Sequence, residues 1–437
     1  MRRYSTTRRA PPAPGRTLDD GEDSAGGRGK WSGAMGYLSR SVFRDRLARI
    51  RETLGEADLA ALVLLTPENF LYVSGYFLDV QPWERPVAAV VPRDEDPFLI
   101  MHELSTNHVR YANEHDSMWI REVHFYTEHY RLHRRTYLTP QWPQMAADLL
   151  RRKGLGRGRL GVDSAGGPIT RVPDLLPDLR LVDAGRILRE MRMVKCEEEL
   201  ALIREGAELS DWGQARYREH LAPGRPLAEI DTLVAHEMAA EAVRRFPEYK
   251  VEIRVSGLTG PNSACPHGIS GDYGQVVEAG HGIVNIVIPR LNGYVCENER
   301  TFFVGTPTRE QASAFEAAVE AQAAAAEVFV AGAAMADADA AAQRVFERRG
   351  FADRIIHRTG HGIGLAGHEH PDDIAFNYRP LVENEVWSCE PGIYLYGVGG
   401  FRHDDTVIVK AGRAEITTRF PRDLESQTIP AKGGRGR

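Results

Sequence analysis

Residues 357–373 read HRTGHGIGLAGHEHPDD. His361 stands between glycines, and without Cβ atoms there the backbone packs closely around the imidazole. His368 follows seven residues later, and the run ends in Pro371, Asp372 and Asp373. A single loop histidine carries little information. Three other polar islands change its weight. Residues 256–268, SGLTGPNSACPHG, bring His267. Residues 292–305, NGYVCENERTFFVG, bring Glu297 and Glu299. Residues 388–405, SCEPGIYLYGVGGFRHDD, bring Glu390, His403 and Asp404. Each island lies at the edge of an apolar run. Acids and imidazoles are rarely gathered in a protein interior without chemistry to perform.

Outward from these islands the apolar periodicity organises the chain. On the N-terminal side it predicts strands over 249–256, 282–289 and 293–304, preceded by helices over 197–221 and 226–246. Two alanine-rich helices, 309–331 and 335–349, follow and are separated at Gly332. Strands over 386–390 and 404–410 close the unit. Blocks of helix and strand, not a strict alternation, read as α+β. The first part, 38–190, alternates instead. A helix over 41–53 and a helix over 142–152 intersperse with strands at 59–66, 86–91, 97–101, 160–162 and 179–183, which reads as a smaller α/β domain. Residues 191–211, MRMVKCEEELALIREGAELSD, are expected to form one charged helix leading into the second domain, 191–427.

Residues 1–37 are rich in Arg, Pro, Gly and Ser and almost lack aliphatics. They cannot bury enough apolar surface to offset the entropy of ordering. A disordered extension, or a misassigned start codon upstream of Met35, is the expectation, and 428–437 reads as a loose tail. Four cysteines in 437 residues form no disulfide framework, so a cytoplasmic setting is expected. The net charge of −6 argues against a nucleic-acid partner. No apolar run approaches the roughly 20 residues of a membrane helix.

In their order and spacing, TGHGIG, HEHP, EPGIY and GGFRHDD resemble the pita-bread hydrolases: creatinase, prolidase, aminopeptidase P and methionine aminopeptidase. The resemblance implies a C-terminal pita-bread domain behind a creatinase-type N-terminal domain. In the metallopeptidases of this family two aspartates, one histidine and two glutamates hold two metal ions. Matched residue by residue, the first aspartate falls on Ile286, which cannot bind a metal. The others fall on Glu297, His361, Glu390 and Asp404. The resemblance therefore implies at most a mononuclear site of those four residues, suited to Mn, Fe or Zn.

Several segments resemble creatinase, the metal-free member: 298–303 (NERTFF), 399–409 (GGFRHDDTVIV) and 83–91 (WERPVAAVV). That likeness implies His267 as a general base and then acid, with Glu299 and Glu390 gripping a cationic guanidinium and His361 completing the catalytic set. It implies Trp83 and Arg85 reaching a second subunit's pocket, hence a homodimer. His368 and Asp372 are the further candidates for substrate contact. The chemistry suits these groups, because a histidine titrating near neutrality both takes a proton from water and returns one to nitrogen.

The leading expectation is thus a hydrolase cleaving a C–N bond of a small nitrogen-rich carboxylate, without a cofactor. The alternatives are a mononuclear metal-dependent peptidase of Xaa-Pro type, a lyase on the same fold, and a degenerate family member that only binds.

Overall fold

A computed structural model of the chain describes residues 38–127, 129, 130, 134, 135, 138–269, 272–370 and 374–431. The chain divides into two compact units at Leu188/Arg189. Residues 1–37, Asp372 and, of the tail 428–437, residues 432–437 lie outside the described residues; the tail is not loose at its start, where Thr428–Ile429 pairs in parallel with Phe303–Val304.

The first unit is built on a six-stranded mixed sheet. Its strands run in the order Glu122–Tyr126, Phe98–His102, Ala88–Pro92, Ala61–Leu64, Gly158–Val162, Leu179–Asp183. The four central runs are almost continuously apolar because helices Arg40–Glu56 and Leu138–Arg152 belong to the same small domain and leave little sheet surface to solvent. Trp142, Ala146 and Leu150 of the second helix join Val63, Val90 and Ile100 in one core. Arg46 is buried, donates to the Tyr72 carbonyl at 2.7 Å and lies 3.8 Å over the Tyr72 ring.

The second unit is organised around an eight-stranded sheet whose central path is Tyr294–Val295, Gly282–Leu291, Asn298–Val304, Asp404–Ile408, Val386–Cys389. Val251–Thr259 pairs with the outer side of Gly282–Leu291. Helices Glu197–His220 and Leu227–Arg245 precede the sheet in the chain, and Arg309–Ala326 and Met335–Arg349 interrupt it. The last two are alanine-rich for a packing reason. Ala314, Ala317, Ala318, Ala321 and Ala325 let the helix approach Ala338 and Ala342 and the sheet residues Trp387 and Val407 in one continuous core.

Two expected elements differ. The single helix over 191–211 is broken: one helix ends at Met193 and the next starts at Glu197. Cys196 caps the second helix, and Glu199 turns back to accept the Cys196 N–H at 2.7 Å, as a capping box does. The strand expected over 293–304 opens at Cys296 and Glu297. Cys296 donates to the Pro289 carbonyl at 3.1 Å, but Pro289 has no N–H to return. Glu297 instead bonds through its own N–H and carbonyl to the Thr406 hydroxyl, each at 2.9 Å.

Candidate active site

Strand register assembles the site. Ile286 is directly opposite Glu299 in one antiparallel ladder, and Glu299 is directly opposite Asp404 in the next. Paired residues on adjacent strands present their side chains to the same face. One row across the sheet therefore reads Ile286, Glu299, Asp404, and Glu390 follows the end of the strand beside it. Oxygens of Glu299, Glu390 and Asp404 all lie within 4.8 Å of one another. Glu297, two residues before Glu299, shares its face.

His361 enters from the loop quoted at the outset. Its N–H donates to the Ser388 hydroxyl at 2.9 Å and its carbonyl accepts the Ser388 N–H at 2.9 Å, which lashes the loop to strand Val386–Cys389. Gly360 permits this approach, since a Cβ there would run into the Ser388 carbonyl. Gly360→Ala is expected to cost about 1–3 kcal/mol in urea unfolding. Turnover should drop by roughly a hundredfold as His361 is displaced. The loop is also held from below. Glu369, buried, pairs with Arg192 and Lys195 and accepts the Ala366 N–H at 3.2 Å. The glutamate of the HEHP run is thus a structural anchor.

Both nitrogens of His361 face acceptors. Nδ1 lies 3.2 Å from the Gly362 carbonyl, and Nε2 lies 3.3 Å from Glu390 and 3.4 Å from Glu297. Burial works against an imidazolium, but these carboxylates outweigh it and hold the ring up at about 9. Glu390 is the most open of the four acids, its side chain 15% exposed. Burial opposes its charge as well, yet His361 draws it down to about 2. Glu297 goes the other way: burial pushes it up to about 8 despite His361. Asp404 is fully buried and is raised well above the carboxylate range, first by burial and then by Glu390, Glu297 and Glu299. Its Oδ1 accepts the Cys389 N–H at 3.1 Å, while Oδ2 has no hydrogen-bond partner among the described residues.

One cation of the site was absent from the sequence-derived set. Arg402 is buried and forks onto both oxygens of Glu299. Its Nη1 donates to the Tyr394 oxygen at 3.0 Å, and Tyr394 in turn meets His357 Nε2. Since His357 Nδ1 faces the Arg358 carbonyl at 2.6 Å, Nδ1 carries the proton and Nε2 accepts from Tyr394. The period-2 rule held the signal for Arg402, because it stands two residues before Asp404. Nothing local marked Tyr394 or His357.

A family model for the metallopeptidase family M24 matches residues 201–411, and one for the creatinase/prolidase N-terminal domain matches 46–194. A Mycobacterium tuberculosis protein described as "Probable dipeptidase PepE" is 34% identical over 271 residues, 59% of this chain and 70% of that protein. The chain belongs to the M24 metallopeptidase family. The Xaa-Pro dipeptidase of Pyrococcus furiosus is 30% identical over 238 residues, 54% of this chain and 66% of that one. The crystal structure of dipeptidase PepE from Mycobacterium ulcerans superposes with a TM-score of 0.75 at 28% identity, covering 90% of this chain and all of that one. As a member of the family the chain has the pita-bread fold and is a hydrolase acting on C–N bonds. These relatives are dipeptidases, and they favour the metal-dependent peptidase alternative over the creatinase-like reading.

Ile286 carries no carboxylate, and its ladder partner on the neighbouring strand is Glu299. With Glu297, Glu299, Glu390, Asp404 and His361, four carboxylates and one imidazole still converge. The Glu299 carboxylate holds the guanidinium of Arg402.

The other candidates stand elsewhere. His267 is exposed and close enough to His357 to oppose its protonation. The His368 ring stacks on that of His361 with centroids 3.7 Å apart. Trp83 and Arg85 belong to the first unit. Trp83 is 83% exposed, and Arg85 pairs with Glu84 at 2.7 Å. Cys296 and Cys389 are buried and their thiols are pushed up by burial, so neither serves as a nucleophile. No helix among the described residues is long and apolar enough to cross a membrane.

Proposed function

We propose that this chain hydrolyses the amide bond of a short peptide with the help of one divalent cation held by Glu299, Glu390 and Asp404. The observation that carries the reading is the convergence of three carboxylates within 4.8 Å, one of which has a buried oxygen with no hydrogen-bond partner among the described residues. Fully ionised, the four acids of the site face two cationic groups, Arg402 and the His361 imidazolium. Two negative charges remain, and the acids either retain protons or accept a divalent cation. Oxygen-rich sites with one imidazole at hand suit Mn, Fe or Zn.

A cation there supplies Lewis acidity toward a carbonyl and an acidified water. The chain's own groups do the rest. His361 Nε2–H stands between Glu297 and Glu390 and shares a proton with either. Glu297 and His361 thus pair a carboxylate with an imidazole, the groups a general acid–base uses. Arg402 fixes the Glu299 carboxylate in a forked geometry. Trp83 and Arg85, in this reading, serve a second copy of the chain, as the resemblance implies.

Chelator-stripped protein is expected to lose Ala-Pro hydrolysis and to regain it on addition of Mn, Fe or Zn. Full turnover by protein shown by elemental analysis to be free of transition metal would overturn the reading.

A further inference from the structure

We propose that Arg402 is a built-in cation of the acid cluster, and that its guanidinium limits the site to a single divalent metal ion. The inference rests on the cation site of Glu299, Glu390 and Asp404 proposed above and adds the group that sets how many ions it takes.

Arg402 is fixed at backbone and side chain. The Thr301 hydroxyl accepts the Arg402 N–H at 3.0 Å and donates to its carbonyl at 2.9 Å. Strand alternation turns the side chain to the face of Asp404, two residues on. Every guanidinium nitrogen then has a partner. Nε and Nη2 fork onto the two oxygens of Glu299, and Nη1 donates to Tyr394 at 3.0 Å. Nε also lies 4.0 Å from Glu390. Arg402 is only 3% exposed, so water and salt screen its charge little. Two of the three carboxylates that would hold the ion thus already face a cation that does not lose its proton.

Glu299 keeps lone pairs beyond this pairing. A carboxylate offers about four lone-pair positions, and a forked guanidinium takes two of them. The others remain for an ion shared with Glu390 and Asp404, whose oxygens lie within 4.8 Å. On the opposite side of Glu299 the ladder partner is Ile286, buried, which offers no lone pair. A second ion there would meet an alkyl chain and a guanidinium.

Charge leads to the same limit. Ionised, Glu297, Glu299, Glu390 and Asp404 carry four negative charges. Arg402 cancels one and a divalent ion two. The last is met by the His361 imidazolium, whose Nε2 lies 3.4 Å from Glu297 and 3.3 Å from Glu390. The cluster is then neutral. A second divalent ion would leave an excess of positive charge in a buried site, which desolvation strongly disfavours.

The test titrates the chelator-stripped full chain with Mn(II) and reads bound metal by elemental analysis and by electron paramagnetic resonance. The wild type is expected to saturate at one Mn per chain, with the spectrum of an isolated ion. Arg402→Lys keeps the charge and should stay at one. Ile286→Asp adds a ligand but leaves the guanidinium, and should also stay at one. Arg402→Met combined with Ile286→Asp should take two, with the exchange-coupled spectrum of a close pair. Two ions in the wild type or in Ile286→Asp would overturn the proposal, as would a folded double variant that holds only one. Should the double variant not fold, Ile286→Asp alone decides. The counts do not depend on turnover. A wild type that binds one Mn and cleaves no dipeptide loses the peptidase reading and keeps this one. A wild type that cleaves dipeptides with two bound Mn does the reverse, and one that binds none overturns the limit together with the cation site.

Discussion

Asp404→Asn is expected to abolish activity while raising thermal stability. Asp404 is fully buried, and it faces three other carboxylates with one oxygen unpartnered among the described residues. An amide at this position keeps an acceptor for the Cys389 N–H and removes a buried acid that is costly to ionise. Relief of that cost, about 1–3 kcal/mol, corresponds to a rise in Tm of several degrees for a unit of this size. The same change removes one of the three carboxylates that would hold the cation. Several kcal/mol of charge stabilisation in the transition state is then lost, or about a thousandfold or more in kcat/KM. Calorimetric melting and a dipeptide assay on one preparation read both effects. A variant that melts lower, or that keeps a tenth of its activity, would contradict this account of the site.

The adjacent residue is expected to behave in the opposite way. Asp405 lies on the other face of the same strand, and every oxygen position on it is used. Oδ1 accepts from Arg300 at 2.8 Å and from Thr418. Oδ2 accepts from Arg422 at 2.6 Å and from Gln322. Burial alone would raise this carboxyl, but Arg300 and Arg422 overcome it and hold it far below the usual carboxylate range. Asp405→Ala leaves Arg300, whose side chain is wholly buried, without its acid. The expected loss is about 3–5 kcal/mol at neutral pH, measured as a lower urea midpoint. The sign of the pH dependence follows from the depressed value. The contribution is complete above the unfolded aspartate value of about 3.9, and it is lost as pH falls toward the folded value. The gap between wild type and variant should therefore narrow below about pH 4. A gap that stays constant would show that Asp405 acts through packing and not through charge.

These two neighbours also show how far the sequence could be read. Strand alternation puts Asp404 and Asp405 on opposite faces, but it does not say which face holds a site and which an ion-pair network. That depended on what each face meets. Helix Arg309–Ala326 brings Gln322 to Asp405, and the neighbouring strand brings Glu299 beside Asp404. The same holds for Ile286. Its identity was legible, and a missing ligand was the natural conclusion. Glu299 is 13 positions further along the chain, and only the antiparallel register makes the two residues neighbours. Arg402 could have been placed on the site's face from its spacing to Asp404, whereas its pairing with Glu299 could not. The break at Cys196 had a local cause, a Glu199 three residues on, and the pattern was there to be read.

Sequence by itself determined the family likeness, the order and approximate bounds of the principal elements, and the identity of most acids and imidazoles that converge. Those properties depend on local periodicity and on short motifs in which glycine, proline or a polar residue has a specific backbone task. Tertiary structure decided which acid stands beside which and that Arg402 occupies Glu299. Such pairings are set by strand register and by loop anchoring between distant residues. Their energies come from burial and charge in three dimensions, and no window along the chain contains both partners.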